Sequence, residues 1–161
     1  MRPFERIVEE HGARVLRVCR AVVGPIDADD AWSETFLSAL TAYPTLTPDS
    51  DVQAWLVTIA HRKAIDVLRA RARRAIPVGE VPERAGTLGI PDDTAREVWS
   101  VVAALPERQR LAVAYHYFGG LPHAATAHLI GGSVESVRRA ASDGIAALRK
   151  FYVTTERSET S

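Results

Sequence analysis

The sequence predicts an all-α protein: two small helical domains joined by a flexible linker. Apolar residues recur at helical spacing through most of the 161 residues, and no segment shows a useful β alternation. One internal stretch, 77–93, is rich in proline, glycine and acidic residues, which end helices and favour an extended connector. The predicted boundaries are a first domain at 1–76, the linker at 77–93, a second domain at 94–152 and a polar tail at 153–161.

The first domain is predicted to contain three helices. Helical spacing runs from Phe4 to Val22, and Gly24-Pro25 ends that helix. A second helix starts near Asp27, with acidic residues in its first turn, where the helix dipole favours them. A loop at 44–51 precedes a third, longer helix whose apolar side begins at Val52. The apolar stripe of the second helix comprises Ala28, Trp32, Phe36, Ala39, Leu40 and Tyr43.

The second domain is predicted to contain four helices. They lie at roughly 94–104, 106–118, 122–130 and 133–151. Gly131-Gly132 separates the last two helices, Ser133 is a good N-cap, and Val134 and Val137 lie on the predicted buried side. A short helix, a glycine-containing turn and a longer helix describe a helix-turn-helix, although an ordinary helical hairpin has the same pattern.

The composition is that of a globular protein without a membrane span. Hydrophobic residues make up 47% of the chain, which argues against global disorder. No uncharged apolar run approaches the roughly 20 residues that cross a bilayer. Five charged residues between Met1 and Glu10 also argue against a signal-peptide core. The single cysteine, Cys19, is expected in the core. We therefore expect a cytoplasmic protein that is not inserted in a membrane.

Basic residues concentrate at the end of the third helix. Between residues 60 and 75, six basic side chains accompany one acid, Asp66. Arg62, Lys63, Arg69 and Arg73 lie roughly along one helical stripe and could neutralise phosphates. The alternative is a solvated helix end, with cations near the negative pole of the helix dipole. The density of basic residues favours nucleic acid.

The start of the last predicted helix is a second candidate for DNA contact. In a helix-turn-helix, the early side chains of the second helix meet base edges in the major groove. Here these side chains are Ser133, Glu135, Ser136, Arg138 and Arg139. A glutamate can accept a hydrogen bond from cytosine N4, and an arginine can donate two to guanine.

Enzyme signatures are absent from the sequence. There is no glycine-rich phosphate loop and no dinucleotide-binding turn. The five histidines are scattered without metal-ligand spacing. The acidic group Asp29, Asp30 and Glu34 is better explained by helix capping or by a partner surface. We therefore expect no catalytic, cofactor or metal site.

The order of these features resembles that of the extracytoplasmic-function (ECF) sigma factors, two-domain members of the housekeeping-sigma-like family of bacterial RNA polymerase sigma factors. Segment 27–36 (DADDAWSETF) is similar to the family's helix that binds core polymerase. Segment 55–69 (WLVTIAHRKAIDVLR) is similar to its −10 recognition helix. Segment 105–111 (LPERQRL) and the helices after it resemble its −35-binding domain.

The resemblance implies a role for each group of residues. The surface that binds the clamp helices of the polymerase's largest subunit would comprise Asp27, Asp30, Ser33 and Glu34. The loop at 46–51 would capture a base flipped from the −10 strand. The surface facing the −10 element would comprise His61, Arg62, Lys63, Ile65, Asp66, Arg69, Arg71 and Arg73. The −35 contacts would come from the five residues at the start of the last helix.

The function implied by the resemblance is promoter-specific initiation of transcription by core RNA polymerase, with an anti-sigma factor as a further partner. Two alternatives remain open at this point. One is a helix-turn-helix regulator that binds duplex DNA without polymerase, and the other is a sigma-like decoy for a regulatory protein. The charge layout suits the first interpretation. The 20 basic and 20 acidic residues cancel in total, but bases concentrate at 62–74 and 138–150 and acids at 27–34 and in the linker.

Overall fold

The structure, a computed structural model, describes residues 2–74 and 93–159, with side chains for 2–74 and 98–151. All regular elements in these ranges are helical, which confirms the predicted all-α class. The helices are α1 (Phe4–Val23), α2 (Ala28–Ala42), α3 (Val52–Arg74), α4 (Asp93–Ala104), α5 (Glu107–Val113), α6 (His123–Ile130) and α7 (Val134–Glu159). A 3₁₀ turn, Tyr43–Thr45, follows α2, and a π-helical turn, Ala114–Phe118, follows α5. The predicted linker lies outside the described residues except for Asp93, which begins α4.

Local sequence signals fix most of the helix ends. Gly24 adopts a φ of 85° directly after α1, and its N–H donates to the carbonyl of Arg20 at 2.9 Å. This left-handed conformation favours glycine and explains why the helix ends there. The last helix differs from the prediction, because α7 runs to Glu159 instead of ending near residue 151. The predicted helix 106–118 is α5 followed by the π-helical turn.

The first domain packs α1, α2 and α3 against one another. Phe36 of α2 is buried, and the indole N–H of Trp32 donates to the carbonyl of Gly12 in α1 at 2.8 Å. A β-carbon at Gly12 would lie 3.5 Å from the Trp32 ring, an ordinary van der Waals contact. Leu56 and Val57 of α3 are fully buried beneath this pair.

The second domain is built on the pairing of α5 with α7. A β-carbon at Gly144 of α7 would lie 2.5 Å from a methyl group of Val113, so only glycine permits this approach. Val137 is fully buried, as predicted. The prediction for Val134 was wrong, because this side chain is 38% exposed. Val134 is the first residue of α7 and precedes the turns that pack on α5.

The two domains also pack on each other, through α1. This helix contacts α2 and α3 on one side and α4, α5 and the π-helical turn on the other. Val18 and Cys19 of α1 therefore share one hydrophobic cluster with Val102 and Tyr115 of the second domain. Burying a side chain of this size contributes about 1.5–3 kcal/mol. Within the described ranges, no helix is both long and apolar enough to span a bilayer.

Candidate nucleic-acid and protein-binding surfaces

Three arginines form an exposed row along α3, which we call the basic stripe: Arg62, Arg69 and Arg73. Their spacing of seven and four residues places them on one face of the helix. All three are exposed and have no hydrogen bond or ion pair with another described residue. Asp66 is exposed on the same face. The stripe therefore presents three available guanidinium groups to solvent.

Arg71 lies between Arg69 and Arg73 in the sequence but on the opposite side of α3, and its side chain is already bound. Its Nε donates to a carboxylate oxygen of Asp27 at 2.9 Å, and a second guanidinium nitrogen donates to that oxygen and to the carbonyl of Val23. The side chain thus joins the end of α3 to the end of α1 and the start of α2. The sequence assigned Arg71 to the DNA surface and Asp27 to the polymerase surface, and the structure pairs them with each other.

The outward face of α2 carries a continuous row of exposed side chains, which we call the α2 stripe: Asp30, Ser33, Glu34, Leu37 and Leu40. Its first half is polar and acidic, and its second half is apolar. Leu37 is 60% exposed and Leu40 is 52% exposed. The prediction that Leu40 belongs to the buried stripe of α2 was wrong, and the sequence did not indicate Leu37 as a surface residue. Their spacing from Asp30 and Glu34 was the signal that could have grouped them with the acids.

A cleft of about 340 Å³ separates α2 from the basic end of α3. The α2 side supplies Asp30 and Glu34, and the α3 side supplies Lys63, Asp66 and Arg74. The predicted polymerase-binding acids and part of the predicted −10 surface thus line one groove. Lys63 is half-buried in it, whereas Arg74 is exposed.

His61 does not face solvent with the basic stripe. It is half-buried, and its Nδ1 lies 2.5 Å from the hydroxyl of Tyr115 in the second domain. Burial lowers the pKa of His61, and the neighbouring Arg62 lowers it further, so the neutral imidazole is favoured. Ile65, one turn later, is also half-buried.

The turn between α6 and α7 is built from two glycines and two serines. Gly131 and Gly132 both adopt left-handed φ angles, of 85° and 90°. The backbone N–H of Ser136 donates to the hydroxyl of Ser133 at 3.1 Å, which confirms the predicted N-cap. The Ser136 hydroxyl donates to the carbonyl of Ser133 at 2.8 Å and accepts a hydrogen bond from Arg108 at 2.9 Å. Both serines therefore stabilise the turn.

Four of the five predicted contact residues, Ser133, Glu135, Arg138 and Arg139, are exposed, and Ser136 is half-buried. Arg138 and Glu135 form an ion pair at 3.3 Å, with 56% and 86% of their side chains exposed. Arg139 is exposed beside them. An exposed pair of this kind is held weakly, so Arg138 can exchange its partner for a phosphate or a base. The outward surface of α7 is Glu135, Arg138 and Arg139.

Comparison with known families places both halves of the chain in one family. The sigma-70 region 2 model matches residues 7–74, and the sigma-70 region 4 model matches residues 95–148. The first segment contains nearly all of α1 to α3, and the second contains most of α4 to α7 but not the last 11 residues of α7. The matches therefore follow the two packed units of the structure. The chain belongs to the sigma-70 family of RNA polymerase sigma factors.

Curated relatives place the chain among the ECF members of that family. It is 33% identical over 137 residues to the ECF RNA polymerase sigma factor BldN of Streptomyces coelicolor, covering 80% of this chain and 52% of the relative. It is 34% identical over 137 residues to the ECF RNA polymerase sigma factor SigD of Mycobacterium tuberculosis, covering 77% of this chain and 65% of the relative. The chain thus spans between about half and two thirds of the length of these relatives.

Solved structures share the fold. The structure of CnrH in complex with the cytosolic domain of CnrY matches with a TM-score of 0.65 at 24% identity, over 94% of this chain and 88% of that chain. The sigma factor RpoE in complex with the anti-sigma factor NepR, from Bartonella quintana, matches with a TM-score of 0.70 at 17% identity, over 91% and 94%. At these identities the likeness supports the two-part helical fold.

Proposed function

We propose that this protein is a sigma factor that binds core RNA polymerase and directs promoter-specific initiation. The first domain acts on the −10 element and the second on the −35 element. One observation carries this proposal: the exposed basic stripe and the outward surface of α7 lie on the segments that match sigma-70 regions 2 and 4. The names of the curated relatives, all ECF RNA polymerase sigma factors, support it.

At the −10 element, the basic stripe would hold the backbone of the opened strand. Arg62 and Arg73 are 11 helical steps apart, or about 16.5 Å at 1.5 Å per residue, with Arg69 between them. That length matches two to three phosphates of an extended strand. An unpaired base held in the loop at 46–51 no longer competes to re-pair, which stabilises the opened duplex.

The α2 stripe supplies a surface for the polymerase. Its acidic half, Asp30 and Glu34, suits a basic partner, and its apolar half, Leu37 and Leu40, offers area that association would remove from water. Single exposed apolar residues are ordinary, whereas an apolar patch rimmed by polar residues marks an interaction site, and these two leucines lie one turn apart beside charged residues. Asp27 would act indirectly, because its carboxylate positions the start of α2 through Arg71.

At the −35 element, α7 would lie in the major groove with Arg138 as its main base contact. An arginine can donate two hydrogen bonds to guanine O6 and N7, and Glu135 can accept from cytosine N4. Ser133 and Ser136 are engaged in the turn and would position the helix. Arg138 and Glu135 would therefore make most of the contacts to base edges.

The protein itself would carry out no chemical step, since the polymerase supplies catalysis. It would act in the cytoplasm, where it meets the polymerase and promoter DNA. An anti-sigma factor is a further expected partner. The two structural neighbours support this expectation, because one was solved with the anti-sigma factor NepR and the other with the cytosolic domain of CnrY.

The two alternative functions leave part of the surface unexplained. A regulator acting without polymerase would use α7 but would have no partner for the α2 stripe. A decoy for a regulatory protein would need neither the basic stripe nor Arg138. The sigma-factor function gives each exposed surface a partner.

Transcription with purified core polymerase tests the proposal. The wild-type protein should produce defined 5′ ends on genomic DNA fragments that core polymerase alone does not produce. The charge-reversed variant Arg69→Glu/Arg73→Glu should abolish them, because it removes two phosphate contacts and adds repulsion. The matched control, Arg17→Glu/Arg149→Glu, makes the same charge change at exposed positions outside these surfaces and should keep initiation. Initiation that survives the first reversal would contradict the role of α3.

A further inference from the structure

Two histidines of the second domain stack on each other, and we call them the histidine pair: His116 of the π-helical turn and His123, the first residue of α6. Their ring centroids are 3.8 Å apart, and the ring planes are inclined by 16°. Both side chains are half-buried. The ring of Tyr117 meets His116 edge to face, with 4.8 Å between centroids.

Hydrogen bonding within the protein leaves the Nε2 atom of each ring available. The Nδ1 of His116 lies 2.7 Å from the carbonyl oxygen of Leu121, which can only accept, so this Nδ1 carries a proton. The Nδ1 of His123 is buried and has no partner among the described residues. A proton on that atom would be a buried donor without an acceptor, so neutral His123 carries its proton on Nε2. Neither Nε2 forms a hydrogen bond with another described residue.

The charges around His123 favour an anion as the ligand. Burial lowers the pKa of His123, and the charges of His116 and of Arg138 in α7 lower it further. Glu135 of α7 is bound to that arginine and leaves the pair without a carboxylate of its own from this helix. His123 also begins α6, where the positive pole of the helix dipole opposes a cation and attracts an anion.

The other elements packed against the π-helical turn add further cations. Helix α5 brings Arg110, whose charge acts on Tyr115 within this turn. Helix α1 brings Arg14, a guanidinium nitrogen of which would lie 2.9 Å from a β-carbon at Gly120. A bound anion would therefore lower the electrostatic cost of a positive charge on the histidine pair.

The histidine pair lies beside the surface that we propose for the −35 element. In a helix-turn-helix, the first helix crosses the DNA backbone while the second enters the major groove. Helices α6 and α7 would take these two places. His123 is close enough to Arg138, the proposed main base contact, for the charge of the arginine to act on it. A backbone phosphate that passes the start of α6 would therefore meet the pair.

We propose that the histidine pair is a phosphate contact of the −35 surface that takes up one proton when DNA binds. This inference rests on the proposed sigma function. The proton comes from solvent and adds to Nε2 of His116, because Nδ1 of that ring already carries one and Nδ1 of His123 has no acceptor. The imidazolium and the Nε2–H of His123 then donate to phosphate oxygens, so binding strengthens as the pH falls.

The pH dependence of DNA binding tests the proposal. Fluorescence anisotropy gives the affinity of the complex between full-length protein and core polymerase for a duplex that holds a mapped −35 element and ends upstream of the −10 element. At constant ionic strength, the affinity should rise about 3- to 5-fold from pH 7.5 to pH 6.0, as expected if the phosphate raises the pKa of the pair by about one unit.

A matched pair of substitutions locates the proton. His116→Gln keeps an amide that can donate to the carbonyl of Leu121 but cannot become charged, so it should remove the rise in affinity. His128→Gln is the control, because it makes the same change at an exposed histidine of α6 and should keep the rise. Circular dichroism at both pH values checks that the variants are folded.

Neutral methylphosphonates in the DNA test the contact with the wild-type protein, whatever the stability of the variants. They replace the phosphates of the −35 element one at a time. At the phosphate bound by the pair, the replacement should remove the rise in affinity, and His116→Gln should cause no further loss there. At the other phosphates, the replacement should lower the affinity and keep the rise.

The outcomes separate the histidine contact from the sigma function. Sequence-specific binding with an affinity that does not rise at pH 6.0 would retain the sigma function and overturn the histidine contact. A rise that survives every methylphosphonate position, or that is equal in folded His116→Gln and His128→Gln, would also overturn the contact alone. A polymerase complex that binds no promoter duplex at either pH would overturn both.

Discussion

The end of α3 and the start of α7 are the two regions that we propose contact DNA, and they differ in how many charged groups are available. On α3, three arginines of the basic stripe have no partner among the described residues. On α7, the two serines stabilise the turn, and Arg138 is paired with Glu135. Composition predicts a surface, whereas neighbouring partners decide which side chains on it can bind a ligand. We propose that α3 supplies affinity for the DNA backbone and that α7 discriminates between bases.

The largest effect is expected from the basic stripe. Arg69→Ala/Arg73→Ala should weaken binding to a promoter with an opened −10 strand by roughly tenfold or more at moderate salt. It should also reduce the slope of log K against log salt by about 1.4, because each single-strand phosphate contact contributes about 0.7. Fluorescence anisotropy of the polymerase complex at several salt concentrations measures both quantities. An unchanged slope would show that these arginines do not contact phosphates.

A loss of specificity is expected from α7. Arg138→Ala should cost about 1–3 kcal/mol at one base pair of the −35 element and relax the preference there. Competition binding with single-base variants of the promoter measures the preference. Asp143→Ala, a truncation at an exposed position of the same helix, is the control. Equal losses on every sequence variant would reassign Arg138 to the DNA backbone.

Arg71 lies on the same helix as the basic stripe but, unlike those three arginines, is bound to other residues of the protein. Because its guanidinium binds Asp27 and the carbonyl of Val23, Arg71→Ala should lower the free energy of unfolding by about 1 kcal/mol, a modest value for a side chain that is 45% exposed. It should leave the salt slope of DNA binding unchanged. Urea denaturation and the salt titration together check this. A reduced salt slope with unchanged stability would return Arg71 to the DNA surface.

Ser133→Ala should also lower the free energy of unfolding by about 1 kcal/mol, because it removes the side chain that caps the N-terminus of α7. Ser133→Asp keeps an acceptor at the cap and should restore stability. Thermal or urea unfolding gives the comparison. A large change in base preference with unchanged stability would mean that this serine reads DNA.

The smallest effect is a dependence on pH. The pKa values of His11, His61 and His123 are all lowered, in each case chiefly by burial. As the pH falls, these histidines therefore become protonated in the unfolded chain at a higher pH than in the folded protein. The free energy of unfolding should then decrease below about pH 6.5, by at most about 1.4 kcal/mol per pH unit for each histidine. Urea midpoints at pH 7.5 and 5.5 measure this, and His61→Gln should reduce the difference. A protein that is more stable at pH 5.5 would contradict the buried neutral histidines.

Local signals made much of the fold predictable. Gly24-Pro25 and Gly131-Gly132 end helices because their backbone conformations favour glycine, and Ser133 caps α7 through a contact three residues away. Each signal acts within a few residues, so it is visible in the sequence. The family resemblance added the order of the motifs, and the family matches support it.

Long-range contacts were not predictable in the same way. The Arg71–Asp27 pair joins residues 44 positions apart, and the His61–Tyr115 contact joins residues 54 positions apart. Helical periodicity does not show that α1 buries residues against both domains, nor that Leu40 faces outward. These features depend on which helices meet, and that is decided by packing across the whole chain.

Strand opening at the −10 element tests the central claim most directly. With core polymerase and a promoter mapped by its 5′ ends, permanganate should oxidise thymines about 10 base pairs upstream of the start only when the wild-type protein is present. Arg69→Glu/Arg73→Glu should remove that reactivity, whereas Arg17→Glu/Arg149→Glu should keep it. Duplex binding without reactive thymines would contradict a sigma factor and favour a regulator that acts without polymerase.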